Sequence, residues 1–137
     1  MVIIMGLDMF LYGVEYHSEY DEKEDNDKSY YIMTEEIYWR KANQIHRWFV
    51  SNIQNGVDNC AMYYVSKESL YKLKELCEKV LEDKELANLL LPTGSGFFFG
   101  SIEYDEWYFN DLKYTVEELN KLLKEEKYDW FKYQSSW

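Results

Sequence analysis

The chain has 137 residues, 47% of them apolar and 19% aromatic, with a single proline, six glycines and a formal net charge of −11. That length makes one ordinary domain, and the aromatic content excludes a disordered or collagen-like chain, which lacks the apolar surface needed to offset ordering entropy. The negative charge opposes a nucleic-acid backbone or an anionic membrane surface as direct partner, because binding there draws on Lys and Arg.

The opening "MVIIMGLDMFL" has no basic leader, and Asp8 interrupts its apolar run. Neither a signal peptide nor a membrane anchor is expected, and a cytoplasmic location follows. From Gly6 to Tyr16, Leu7, Met9 and Leu11 alternate with Asp8, Phe10 and Tyr12, the pattern of a strand with one dry face. "HSEYDEKEDNDKS" follows, polar and without periodicity, and residues 15–36 hold nine acids against two lysines. This reads as an acidic, mobile loop over about residues 17–33, long enough for a hairpin extension or a lid.

Next, Thr34 is placed to N-cap a central helix, with Glu35 and Glu36 suited to its positive end. Tyr38, Ala42, Ile45, Phe49 and Ile53 share one arc of that helix, and Asn55-Gly56 provides its stop. "CAMYYV" (60–65) reads as a short strand. Ser66 then caps a helix from Lys67 to about Asp83 that buries Leu70, Leu73, Leu76, Cys77, Val80 and Leu81. "KELANLLL" adds a helical turn, "PTGSG" a bend, and "FFFGSIEY" a strand entering the sheet. A continuous helix from about Glu106 to Glu126 is preferred over one starting at a Thr115/Glu118 capping box. "YDWFKYQSSW" alternates as a terminal strand. These elements make an α+β fold: residues 1–137 as one compact domain, a small mixed or antiparallel sheet packed against about three helices.

The stretch "YWRKANQIHRWF" (38–49) stands apart, because residues 37–56 contain Arg40, Lys41 and Arg47 and no acid. On the expected helix, Arg40, Asn43 and Arg47 lie along one flank, with Trp39 and His46 beside them, in a strip about 10 Å long. Guanidinium forks suit phosphate or carboxylate, an amide suits a base edge, and indole supplies stacking. The pattern points to a nucleotide-like anion. In "PTGSGFFFGS", Gly94, Ser95 and Gly96 suit a backbone nest for the same anion, although the Walker lysine and spacing are missing. The competing reading has Arg40 and Arg47 paired with the acidic loop and His46 as a core-edge histidine.

A histidine base needs a nucleophile or a carboxylate beside it. Cys60, Ser66, Asp8 and Glu106 are candidates, but no spacing ties any of them to His46. Cys60 and Cys77 form no framework and fit no zinc spacing, so reduced thiols, no metal and no cofactor are expected. Glu103, Asp105, Glu106 and Asp111 form an oxygen-rich run that suits either Mg²⁺ or, more simply, a negatively charged helix start.

"MGLDMFLY", "YWRKANQIHRWFV", "LLPTGSGFFFGS" and "YQSSW" together make the chain resemble a small protein family common in bacteriophage and prophage genomes. The similarity runs nearly end to end and departs in the acidic stretch 17–36. It implies a phage accessory role inside a bacterial cell and carries over no catalytic residue. Three functions are expected in this order: a counter-defence protein that binds or sequesters a small nucleotide-like anion; an acidic inhibitor of a host nucleic-acid-processing or immune enzyme, in the manner of anti-CRISPR proteins; and a small hydrolase with a histidine base. The partner is then a small ligand or a host protein, with no direct nucleic acid and no membrane; self-association stays open.

Overall fold

Alternation sets the sheet. In the computed structural model, which describes residues 6–95 and 100–137, β1 (Asp8–Asp21), β2 (Asn26–Arg40), β3 (Tyr63–Val65) and β4 (Trp130–Ser136) form one sheet in the order β2-β1-β4-β3. Every neighbouring pair is antiparallel. The helices α1 (Asn43–Asn52), α2 (Lys67–Glu82), α3 (Ala87–Leu90) and α4 (Glu106–Lys124) complete the fold, which is the α+β class that the sequence indicates.

One face of the sheet makes the core. Met9 and Leu11 of β1 and Leu7 just before it are fully buried, together with Ile37 and Trp39 of β2 and Phe131 and Tyr133 of β4. Helical side chains close over them: Ile45 and Phe49 from α1, Leu70, Leu73, Cys77 and Val80 from α2, and Leu112 and Leu119 from α4. Phe49 lies flat on Tyr133, centroids 3.8 Å apart. Burial pushes the Cys77 thiol far up, as befits a small core residue.

The other face carries Phe10, Tyr12 and Tyr16 of β1. Their cross-strand neighbours are Tyr38 opposite Phe10 and Tyr31 opposite Tyr16, and Trp130 sits opposite Val14. The rings touch across strands, at 5.4 Å for Phe10–Tyr38, 5.3 Å for Tyr16–Tyr31 and 5.3 Å for Tyr31–Trp130. Such pairs stabilise a two-sided ribbon. Tyr16, Tyr31 and Tyr64 remain exposed.

Three expectations change, at the acidic segment, at the start of the central helix and at residues 100–104. The acidic segment forms strands: β1 and β2 pair from Asp8↔Arg40 out to Asp21↔Asn26, around a turn at residues 22–25. β4 pairs with β1 only as far as Val14↔Trp130, so residues 15–32 form a two-stranded arm beyond the sheet. At about 3.4 Å per residue, Glu15–Asp21 reaches roughly 20 Å. At its base Asp129 accepts from the Tyr16 N–H at 2.7 Å and donates its own N–H to the Val14 carbonyl at 2.9 Å. At its tip Lys28 pairs with Asp21 at 2.9 Å.

The central helix also starts later. Residues 34–40 belong to β2, where Ile37 and Trp39 face inward and Tyr38 and Arg40 outward. A β-rich run paired along β1 outweighs a helical cap at Thr34. The chain turns at Lys41, φ +56, and at Ala42, whose φ −80 and ψ 70 make an inverse γ-turn with the Asn43 N–H donating to the Lys41 carbonyl at 2.9 Å. The stop is as expected: Asn55 and Gly56 have positive φ, and the Gly56 N–H reaches back to the Val50 carbonyl at 2.8 Å.

The remaining elements follow their local signals. Ser66 caps α2 by accepting from the Ser69 N–H at 3.1 Å, and Asp105 caps α4 by accepting from the Tyr108 N–H at 3.1 Å. The helix from Glu106 is continuous, and Thr115 within it bonds back to the Asp111 carbonyl at 2.7 Å. Of "FFFGSIEY", Phe97–Phe99 lie outside the described residues, and 100–104 are irregular. Their carbonyls serve side chains instead of a ladder: Asn43 Nδ2–H donates to Ser101 O at 2.7 Å and the Thr93 hydroxyl to Ile102 O at 2.9 Å.

Candidate functional site

α1 comes together with residues 92–95 and with Ser101, so residues from both sequence candidates share one surface. Asn43, His46, Arg47, Gly94 and Ser95 line one cleft of about 370 Å³ with Val50 and Asp58. Gly96 lies outside the described residues. Trp39 and Arg40, which belong to β2, do not line it.

Each side chain has a local task. Asn43 clamps the segment: its amide donates to Ser101 O and its Oδ1 accepts the Gly94 N–H at 3.1 Å. Arg47 donates to the Thr93 carbonyl at 2.7 Å. An added Cβ at Gly94 would lie 3.5 Å from the Arg47 Cδ, so the arginine stem runs along that glycine. The Gly94 N–H is thereby used inside the protein. Trp39 is a core side chain, its indole N–H donating to Thr115 Oγ1 at 2.9 Å and its ring edge-on to Phe49. Arg40 pairs at 3.4 Å with Asp8, not with the acidic arm.

His46, itself buried, joins a buried tyrosine to a carboxylate at the surface. Its Nε2 lies 2.9 Å from an Asp58 carboxylate oxygen and its Nδ1 2.7 Å from the Tyr133 hydroxyl. A carboxylate only accepts, so Nε2 carries the proton; in the neutral ring Nδ1 then accepts from Tyr133. Burial lowers the His46 pKa below its ordinary value against the opposing pull of Asp58, which favours that neutral form. Asp58 also accepts the Trp137 indole N–H at 3.2 Å, tying the end of β4 to the loop after α1. Burial raises the Tyr133 hydroxyl well above its normal range, and its ring is sealed under Phe49, so it is no nucleophile for an incoming substrate. The carboxylate at His46 is Asp58, none of the sequence candidates: Ser66 is a helix cap, Asp8 meets Tyr38 and Arg40, and Glu106 opens α4.

A second cleft, of about 300 Å³, opens on the other side of Asn43, between the β2–α1 corner and the start of α4; Arg40, Lys41, Trp107 and Asp111 line it, together with the acids Glu103 and Asp105. Trp107 is 77% exposed. Asp111 accepts from the Gln44 amide at 3.3 Å, and burial pushes its carboxyl up to about 6. Lys41 and Trp107 were not singled out for a site by sequence. The signal for Trp107 was its place off the apolar stripe of α4, since an indole on a wet helix face has no core role.

Among the described residues, no group of three or more His, Cys, Asp and Glu is placed to hold a metal ion. Among them also, no helix is long and apolar enough to cross a membrane. Both cysteines are free thiols, Cys60 exposed and Cys77 buried. No protein-family model, no curated protein and no solved structure matches the chain.

Proposed function

We propose that the protein acts by binding, as an acidic phage-type accessory protein that occupies a Lys/Arg-rich, nucleic-acid-holding groove of a bacterial enzyme. The β1–β2 arm carries this reading. Residues 15–27 hold seven acids and one lysine, displayed on a ribbon that projects past the rest of the sheet. A groove built for phosphates offers guanidinium and ammonium groups at intervals, and carboxylates along a ribbon meet them with the same sign of charge as a nucleic-acid strand. The exposed rings of Tyr16 and Tyr31, beside Trp130, add faces over which Arg and Lys heads can lie. An anion site on α1 weighs less, because Trp39, Asn43 and His46 hold the fold together.

The test separates the arm from net charge. A twelve-residue alternating Arg-Lys peptide is immobilised, and the full chain is titrated over it at about 0.15 M salt, where charges more than roughly 8 Å apart are screened. One variant neutralises the arm (Glu19→Gln, Glu22→Gln, Glu24→Gln, Asp25→Asn, Asp27→Asn). A control removes as many charges from α2, α4 and the turn after α4 (Glu75→Gln, Glu82→Gln, Glu117→Gln, Glu125→Gln, Glu126→Gln). The arm variant is expected to lose about tenfold in affinity and the control less than about threefold, a difference near 1 kcal/mol. Equal losses would contradict the reading.

A further inference from the structure

We propose that the cleft between the β2–α1 corner and the start of α4 binds one guanine mononucleotide, phosphate on Arg40 and Lys41, base on Trp107 and Asp111.

The cationic end is built by the backbone. A Cβ added at Gly6 would lie 3.2 Å from the Lys41 Cε and 3.4 Å from the Arg40 Nη2. Two positive side chains therefore converge over one residue that has no side chain of its own. Asp8 offsets Arg40 at 3.4 Å, whereas Lys41 makes no ion pair among the described residues. Like charges held together favour an anion between them. Lys41 is fixed in place: it holds the left-handed φ of +56, donates its N–H to the Leu7 carbonyl at 2.7 Å, and lays its stem along Gly100, where an added Cβ would meet it at 3.3 Å. A non-glycine residue held in that conformation costs free energy, and such residues cluster at ligand clamps.

The opposite wall is chemically distinct. Trp107 and Asp111 stand four residues apart on α4, one above the other on the same face. An indole that is 77% exposed at the mouth of a cleft is a stacking platform for a base. Asp111 is half-buried and only one of its oxygens takes the Gln44 amide. A carboxylate accepts and cannot donate, so it selects a base edge with N–H donors. Guanine presents two adjacent donors, N1–H and the exocyclic amine, which a carboxylate takes together; uracil offers one N–H between two carbonyls that repel it. The cleft volume of about 300 Å³ is at the lower limit for small-molecule sites and fits one nucleotide.

Isothermal titration of the full chain tests this, with GMP, AMP, UMP, guanosine and inorganic phosphate as the probes. GMP is expected to bind with a Kd below about 100 μM and the other four at least about tenfold more weakly. Lys41→Met and Trp107→Leu, both at exposed positions, should each weaken GMP binding about tenfold or more without moving the melting temperature by more than about 2 °C, as for surface changes. Asp111→Asn should abolish the preference for GMP over UMP. A parent Kd for GMP above about 1 mM, equal affinity for GMP and UMP, or unchanged affinity in Lys41→Met and Trp107→Leu would each overturn the proposal.

Discussion

Replacing Tyr133 with Phe removes a single oxygen from the middle of the core, and the structure says what that oxygen does. The ring stack on Phe49 at 3.8 Å survives the change, so little packing is lost. His46 Nδ1, whose side chain is 1% exposed, loses the hydroxyl that donates to it at 2.7 Å. A buried acceptor stripped of its donor costs about 1–3 kcal/mol. For a chain of this length that is a fall in melting temperature of roughly 3–12 °C. Urea melts at pH 7.5 read it directly, with an unchanged m-value showing that the unfolded state is the same. Asp58→Asn is the companion, since its amide oxygen still accepts from Nε2–H and the loss should stay below about 1 kcal/mol. The pH dependence follows from the burial that lowers the His46 pKa. Below pH 6.5 the unfolded chain takes up a proton at this histidine before the folded chain does. The stability from a neutral His46 is therefore fully present above pH 6.5 and lost as the pH falls below it. A Tyr133→Phe loss under about 0.3 kcal/mol, well below the cost of an unsatisfied buried acceptor, would refute the Tyr133–His46 hydrogen bond.

Asp111 titrates with the opposite sign. Its folded carboxyl is raised to about 6, first by burial and then by the nearby Asp105 charge, so it favours the folded state at low pH and loses that as pH rises through 6. Asp111→Asn should accordingly be more stable than the parent at pH 7.5, with the advantage shrinking at pH 4.5 in parallel melts. Phe49→Ala removes a fully buried ring and should cost about 3–5 kcal/mol in urea melts, whereas Arg40→Ala at an exposed ion pair should cost less than about 1 kcal/mol. A Cβ at Gly13 would come within 2.5 Å of the Tyr128 ring, so Gly13→Ala should destabilise by about 1–3 kcal/mol in a thermal melt. Replacing residues 17–30, which close on the pair His17↔Tyr30, by a two-residue Asn-Gly turn should leave the melting temperature within a few degrees, because the arm adds nothing to the core.

The elements legible in the sequence are those whose signals are local. Ser66 and Gly56 mark the ends of helices with side-chain and backbone chemistry confined to a few residues, and Leu7, Met9 and Leu11 alternate into the core as their spacing indicates. β2 was hidden because its partner lies in β1, up to 32 residues away at Asp8↔Arg40, and because Tyr38, Ala42, Ile45 and Phe49 happen to fit a helical arc. The break falls at Lys41, a residue that carries no turn signal, where the pairing of strand and helix imposes a positive φ. His46 was visible as unusual, but its partners were not. Asp58 reaches it only after the chain reverses at Asn55-Gly56, and Tyr133 arrives from the last strand. The meeting of α1 with Gly94 and Ser95 had no signal in the spacing, and the side chains that hold it, Asn43 and Arg47, bind the backbone of Thr93, Gly94 and Ser101.

Cross-linking mass spectrometry on bacteria expressing the full chain addresses the proposed inhibitor most directly. The arm carries Lys23 and Lys28, and the helical side carries Lys72, Lys79 and Lys113, all exposed, so the two surfaces report separately. Cross-links are expected from Lys23 and Lys28 to the nucleic-acid-holding face of one bacterial protein. They should be displaced by that protein's own nucleic acid and absent from the arm-neutralised variant. Cross-links that arise from Lys72, Lys79 and Lys113 instead, or that persist when nucleic acid is added in excess, would contradict it.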